Sequence, residues 1–180
     1  MRIKQLVIDV KTYHWDEKEK RPELDNASDI NYLLLELPKI IKQYQENMAN
    51  SRIKTEIIIT TASIAFLEAA QKRQIIFGEG VKKRLGVNKE KVIDWELVRR
   101  LGIDQLSLEI NPDRLSEQLQ KVRDQITDTG FAEKDISFYV VDKPQELAEI
   151  TSFFPNAEIV SDNPEGLEIR EPQIYGEKRL

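Results

Sequence analysis

The sequence contains no cysteine and only one histidine, His14, and both shortages limit its chemistry. Without cysteine, the chain has no disulfide, no thiolate nucleophile and no cysteine-ligated zinc or iron–sulfur site. A single histidine excludes a multi-histidine metal centre within one chain. The sequence also lacks a Walker A loop, a Gly-x-Gly-x-x-Gly fingerprint and a Gly-x-Ser-x-Gly elbow. Kinase, dinucleotide-dependent and serine-hydrolase functions therefore lose their usual support.

Long apolar runs are missing as well. No run approaches the ~20 residues that a membrane-spanning helix needs. The segment Met1–Gln5 has a basic start but no apolar region or cleavage site typical of a secretory signal, so we expect a cytoplasmic protein. The 27 basic residues are outnumbered by 32 acidic ones, giving a net charge of -5. This balance argues against a general nucleic-acid binder.

The length and composition are those of a soluble globular protein. The chain has 180 residues, of which 40% are hydrophobic and 33% are charged. Single domains commonly reach this size with a real core. We expect one α/β domain over residues 1–170 and a C-terminal tail over residues 171–180.

Six apolar, β-branched runs predict strands, at Leu6–Val10, Glu56–Thr61, Gln74–Gly78, Gln105–Ile110, Ile136–Val141 and Glu158–Ser161. Helical periodicity separates them, in segments that start near Asp29, Ala62, Trp95, Pro112 and Pro144. Several runs are apolar on both faces, as is typical of parallel strands between helices. The alternation predicts an α/β fold with a mostly parallel sheet of about six strands and flanking helices. Residues 12–27 are interpreted as a long polar loop.

Asp9 and Lys11 end the first predicted strand, and two residues apart in a strand they share one face. They could serve as a metal-ligating carboxylate and a phosphate-orienting cation. A strand-end salt bridge and the acid-x-Lys pair of a metal-dependent nuclease are the alternatives. His14 follows in the loop as a candidate general acid or base, or simply as a surface or packing residue.

Gly78, Glu79 and Gly80 form a second candidate cluster. Two glycines let the backbone approach a ligand closely, and Glu79 could supply a second oxygen ligand to a metal. A simple turn is the alternative. Ligands of parallel sheets bind at the carboxyl ends of the strands, so we expect the loops there to gather around Asp9 and Lys11.

Several stretches resemble the later part of the glycerophosphodiester phosphodiesterases, which are (β/α)₈ barrels. Ile8-Asp9-Val10-Lys11 is similar to the family's Ile-Glu-Leu-Lys strand. Residues 138–147 are similar to its Trp-Thr-Val-Asn-Asp-Pro-Glu-Glu segment, and residues 158–164 to its Gly-Ile-Ile-Thr-Asp-Asn-Pro segment. The likeness also includes residues 102–108 and would cover most of the chain.

The resemblance implies that Asp9 ligates a divalent cation, Mg or Ca, and that Lys11 lies in the active site. It also implies that Tyr139 stands where the family has a cleft tryptophan. The family's His-Arg-Gly strand, its Glu-x-Asp ligands and its second catalytic histidine have no counterpart here. We therefore expect a divergent, phosphodiesterase-like protein without the full catalytic set that binds a phosphorylated ligand. If it is an enzyme, we expect metal-dependent phosphodiester hydrolysis.

About six strands do not close an eight-stranded barrel. The expected fold is therefore an incomplete or divergent TIM-barrel-like sheet, with an open, doubly wound sheet as the other arrangement. Exposed sheet edges favour association with a second copy or with a complementary protein chain. A structural or regulatory protein-interaction module is consequently the alternative function.

Overall fold

The computed structural model describes residues 4–12, 14–16, 21–23, 26–49, 55–89, 91–127 and 129–161. Within them lie the strands β1 (Lys4–Asp9), β2 (His14–Asp16), β3 (Arg21–Glu23), β4 (Thr55–Thr61), β5 (Val81–Val87), β6 (Gln105–Glu109), β7 (Ile136–Tyr139) and β8 (Glu158–Val160). The α-helices are α1 (Ala27–Met48), α2 (Ile64–Lys72), α3 (Trp95–Arg100), α4 (Leu115–Ile126) and α5 (Pro144–Phe153). Pro112–Arg114 and Glu133–Asp135 form short 3₁₀ helices. No helix in these ranges is both long and apolar enough to cross a membrane.

The predicted fold class is confirmed. Within the described residues, six strands form a parallel sheet in chain order, β1-β4-β5-β6-β7-β8, and helices lie between them along the chain. This order never reverses direction, which distinguishes it from a doubly wound sheet. Six strands in barrel-like succession agree with the expected incomplete TIM-barrel-like topology.

Two local predictions were wrong. Gln74–Gly78 is not a strand; Gln74 adopts a left-handed φ of 53° and Ile76 is 81% exposed. The strand is Val81–Val87. Three consecutive basic residues interrupt its apolar residues, so a search for apolar runs misses it. The long polar loop at residues 12–27 contains β2 and β3, which pair antiparallel. These two short strands are paired with each other through the backbone.

The chain divides into two compact units, residues 1–108 and 109–180. The single domain over residues 1–170 therefore stays a prediction, and the tail at residues 171–180 lies outside the described residues. In the first unit, β1 pairs with β4, β4 with β5 and β5 with β6, all parallel. In-register residues of parallel strands point to the same side, so the register defines two faces of the sheet.

One face of the first unit's sheet is apolar. Its side chains come from alternate positions of the four strands, for example Ile57, Ile59, Leu85 and Leu106, all of which are buried. Because the strand order advances in one direction, right-handed crossovers place α1, α2 and α3 on a single face. Two contacts identify that face as the apolar one. The Lys83 ammonium donates to the Leu101 carbonyl at the end of α3 over 2.6 Å, and Ile41 of α1 packs beside Val81 near Gly78.

The opposite face, which we call the polar face, carries most of the charge of the sheet. Its members alternate with the apolar set and are Gln5, Val7, Asp9 and Lys11 near β1, Glu56, Ile58 and Thr60 on β4, Lys82, Arg84 and Gly86 on β5, and Gln105 and Ser107 on β6. Gln5, Val7, Asp9 and Lys11 are exposed, whereas Arg84, Gln105 and Ser107 are buried. The predicted pair, Asp9 and Lys11, therefore belongs to the polar face.

The second unit contains β7 and β8, which are parallel, together with α4 and α5. The backbone N–H of Ile110 donates to the carbonyl of Tyr139 over 3.3 Å. Phe138 and Phe154 are fully buried, with ring centroids 5.3 Å apart. Val140, directly after β7, adopts a left-handed φ of 64°, a rare conformation for a β-branched residue.

Candidate ligand site on the polar face

Four polar side chains lie in one row across the polar face. The register aligns Asp9 with Thr60, Thr60 with Arg84, and Arg84 with Gln105. Neighbouring strands are ~4.8 Å apart, so the backbones of Asp9 and Arg84 are about 10 Å apart. Lys11 follows Asp9 by two residues at the carboxyl end of β1. This row, with Lys11, is the candidate site.

Asp9 and Lys11 form the predicted pair. The Lys11 Nζ lies 3.4 Å from the Asp9 Oδ2, and both side chains are more than half exposed. Exposed ion pairs contribute only ~0–1 kcal/mol to stability, so this pair has little structural weight. An ammonium group has three N–H donors, so one lysine can serve more than one acceptor oxygen.

Arg84 and Gln105 form the buried end of the row. The Gln105 Oε1 accepts hydrogen bonds from the Arg84 Nε, at 3.1 Å, and from its Nη2, at 2.9 Å. Only 4% of Arg84 is exposed, and burying a charged group is costly unless polar groups surround it. The two bonds fix the plane of the guanidinium beside Gln105 on the polar face.

Thr60 lies between the exposed and buried ends of the row. Its Oγ1 is buried and has no hydrogen-bond partner in the part of the chain that the structure describes. A buried hydroxyl without a partner costs ~1–3 kcal/mol. A ligand or water oxygen that reached this hydroxyl would remove that cost.

Glu56 and Lys82 form a second ion pair on the polar face, toward the amino ends of the strands. The Lys82 Nζ lies 2.6 Å from the Glu56 Oε1, and the Gln5 amide donates to the Oε2 of the same carboxylate over 2.9 Å. The hydrogen bond from Lys82 lowers the pKa of Glu56, with smaller contributions from Gln5 and the charge of Arg84, while partial burial opposes the shift. Glu56 is therefore held as a carboxylate by its neighbours.

Gly78, Glu79 and Gly80 do not join the row. They precede β5 instead of following a strand, so they lie at the amino end of the sheet. Val81 aligns with Ile57, which aligns with Leu6, three residues before Asp9. The turn is therefore about 10 Å or more from the level of Asp9 along the strands. The structure does not bring Glu79 and Asp9 together as two ligands of one metal.

His14 and Tyr139 lie elsewhere in the chain. The backbone of His14 pairs with Glu23 in the β2–β3 ribbon, and its side chain lies outside the described residues. Tyr139 ends β7 in the second unit. Burial raises the pKa of its hydroxyl, and the negative charge of Glu109 adds to the rise. Tyr139 therefore stays protonated at neutral pH.

The residues of the row do not fit the divalent cation that the resemblance implies. Asp9 is the one carboxylate in it, and its oxygen lies beside the Lys11 ammonium. Among the residues that the structure describes, no three His, Cys, Asp or Glu side chains cluster closely enough to hold a metal ion. Magnesium and calcium sites are built from several oxygen ligands. The donor set is better suited to an anion.

The sequence did not single out Thr60, Arg84 and Gln105. The signal lay in the alternation of Lys82, Arg84 and Gly86 along β5, which follows the two-residue period of a strand. That period is visible only once β5 is placed correctly. Thr60 gave no signal, because threonine is common in strands for its β-branching alone.

Comparisons with known proteins do not assign the chain to a protein family. No model of a known protein family matches it. No curated protein matches it at a significant level either. The candidate site therefore has to be judged on its own geometry.

Proposed function

We propose that the chain binds a phosphorylated small molecule at the carboxyl end of the polar face, on a phosphodiesterase-like scaffold without the full catalytic set. The observation that most directly supports this proposal is the exposed Lys11 ammonium at the strand end. It lies beside Asp9 and close to the row that contains Thr60 and Arg84. Phosphate oxygens accept charge-assisted hydrogen bonds from ammonium and guanidinium groups. A phosphate ester would meet Lys11 at the rim and the positive field of Arg84 beneath.

Asp9 has a positioning role in this proposal. Its carboxylate repels an anion, but it also holds the Lys11 ammonium 3.4 Å away at the strand end. Of the charged side chains in the candidate site, the two cations Lys11 and Arg84 outnumber the one acid, Asp9. The cationic excess of this set favours an anionic ligand.

Calorimetric titration tests the proposal, with glycerol 3-phosphate and a glycerophosphodiester as probes and glycerol as the neutral control. The wild-type chain should bind at least one phosphorylated probe and should not bind glycerol. Lys11→Met should weaken binding about tenfold or more, because a hydrogen bond to a charged group is worth ~1.5–3 kcal/mol. The matched control is Lys121→Met, which removes an exposed lysine paired with Glu117 on α4. Absence of binding to both probes, or equal effects of the two variants, would contradict the proposal.

Self-association is the second candidate function. The outer face of α1 exposes three large apolar side chains, Tyr32, Leu35 and Ile40, each more than half exposed. Apolar side chains in this number on one helix favour a protein partner, and a second copy is the simplest one. Light scattering should then give a dimer mass for the wild-type chain and a monomer mass for Leu35→Glu. A monomer at every concentration would eliminate this candidate.

A further inference from the structure

A groove lies at the amino end of β4, on the helix-covered side of the sheet and away from the polar face. Its volume is about 380 Å³, and its lining includes Tyr44, Gln45 and Met48 of α1, Thr55 and Ile57 of β4, and Glu79. Grooves of ~300–1,000 Å³ are large enough for a small organic ligand. This volume is larger than a single bare ion would fill.

The described walls of the groove combine apolar and polar surface. Ile57 is buried, and Met48 and the ring of Tyr44 are half-buried beside it. Thr55 adds a polar group, since its Oγ1 is buried and has no hydrogen-bond partner within the described ranges. A wall that places apolar side chains beside polar groups fits a ligand that has an apolar body and one polar end.

Among the described residues that line the groove, the charge is negative. Helix α1 ends at Met48 with no basic residue in its last turn, so its C-terminal carbonyls keep their partial negative charge. Glu79 is the one charged side chain among the described residues of the lining. The Gln45 amide donates to the Glu79 carbonyl over 2.9 Å, which ties the turn carrying this acid to the helix. A carboxylate and a helix C-terminus together attract a cation.

We propose that this groove binds a small organic ammonium ion. The ammonium group would donate hydrogen bonds to the Glu79 carboxylate while the apolar part of the ligand packs against Met48, Ile57 and the Tyr44 ring. An aromatic face also attracts a cation by its quadrupole. The proposal assigns Glu79 to an organic cation instead of a metal, and it does not depend on the anion site of the polar face.

Methyl-detected NMR tests this with three probes of similar size, benzylammonium, benzyl alcohol and benzoate. Benzylammonium should shift the methyl signals of Met48 and Ile57 in a saturable way. Benzyl alcohol should bind more weakly, and benzoate should leave both signals unchanged. Failure of benzylammonium to shift either signal at millimolar concentration, or equal shifts with benzoate, would overturn the proposal.

Two charge-neutralising variants distinguish binding in the groove from nonspecific attraction of the cation to acidic residues on the surface. Glu79→Gln should weaken benzylammonium binding about fivefold or more, because it removes the charge of an exposed side chain and keeps its shape. Glu36→Gln, on α1 and outside the groove lining, should leave the affinity unchanged. Both acids are exposed enough that their amides should fold normally. Equal affinities of the two variants would refute the role of Glu79.

Discussion

The turn at Gly78–Gly80 offers a matched pair of substitutions, Gly78→Ala and Gly80→Ala. Both glycines have positive φ angles, 149° and 70°, which L-residues rarely adopt. They differ in their surroundings. A Cβ on Gly78 would lie 2.9 Å from the Gln45 Oε1, 3.1 Å from the Val81 Cγ2 and 3.2 Å from the Ile41 Cγ2. A Cβ on Gly80 would meet no atom within 4 Å.

The two costs follow from these distances. A left-handed conformation costs an alanine ~1–2 kcal/mol, and the reduced entropy of the unfolded chain returns ~0.4–1 kcal/mol. Gly80→Ala should therefore lower the free energy of unfolding by no more than about 1.5 kcal/mol. Gly78→Ala adds overpacking against Ile41 and Val81, which are stiff at χ1, at ~1–3 kcal/mol. Moving Gln45 aside would break its bond to Glu79, worth ~1 kcal/mol.

Urea denaturation followed by circular dichroism measures the difference. Gly78→Ala should be less stable than Gly80→Ala by about 2–4 kcal/mol, from the sum of the overpacking and hydrogen-bond terms. Equal stabilities, or a larger loss for Gly80→Ala, would show that the turn does not pack against α1 and β5 as described. The same result would undermine the groove that this turn borders.

Three further predictions concern other parts of the chain. The lowered pKa of Glu56 means that its ion pair stabilises the fold at pH values above the unfolded-state pKa of 4.5, and that this stabilisation is lost as the pH falls below that pKa. In urea titrations, Glu56→Gln should therefore lose less stability than wild type between pH 6 and pH 3. Asn26→Ala should destabilise the chain by ~0.5–2 kcal/mol, because the Asn26 Oδ1 caps α1 by accepting from Ser28 N at 2.8 Å and Asp29 N at 3.3 Å; an unchanged melting temperature would contradict the cap. Val140→Gly should raise stability by up to ~1 kcal/mol, since glycine relieves the left-handed strain at φ 64°; a loss above 1 kcal/mol would refute that.

The sequence predicts most of the fold because its apolar periodicity is strong. Leu6–Val10, Glu56–Thr61 and Gln105–Ile110 overlap β1, β4 and β6, since buried parallel strands require continuous apolar runs. Pro112 and Pro144 correctly indicate where helical segments begin, because proline is favoured in a first turn.

Apolar periodicity does not predict β5, because two of the residues that this strand places on the polar face are cationic. Lys82 forms an ion pair with Glu56 on the neighbouring strand, and Arg84 donates hydrogen bonds to Gln105. Neither partner is adjacent in sequence. The competing run at Ile75-Ile76-Phe77 is apolar, yet only Phe77 is buried, where its ring stacks on Phe66 at 5.8 Å. Tertiary contacts therefore override the local pattern.

The candidate site is predictable only in part. Asp9 and Lys11 follow from strand periodicity, and their side chains do share a face at the strand end. The neighbours of that pair depend on strand register, which no local pattern specifies. Once β5 moves to residues 81–87, Arg84 enters the row and Glu79 moves to the other end of the sheet. The ligand that we propose for the site consequently changes from a metal ion to an anion.

Binding of a phosphorylated ligand at the polar face is the central claim, and amide-detected NMR tests it most directly. Glycerol 3-phosphate should shift the signals of Asp9, Lys11 and Thr60 in a saturable way, and glycerol should not. In Lys11→Met, the same titration should require at least about ten times more ligand, from the ~1.5–3 kcal/mol of a charged hydrogen bond. Unchanged signals at these three residues, or identical titrations of wild type and Lys11→Met, would contradict the account.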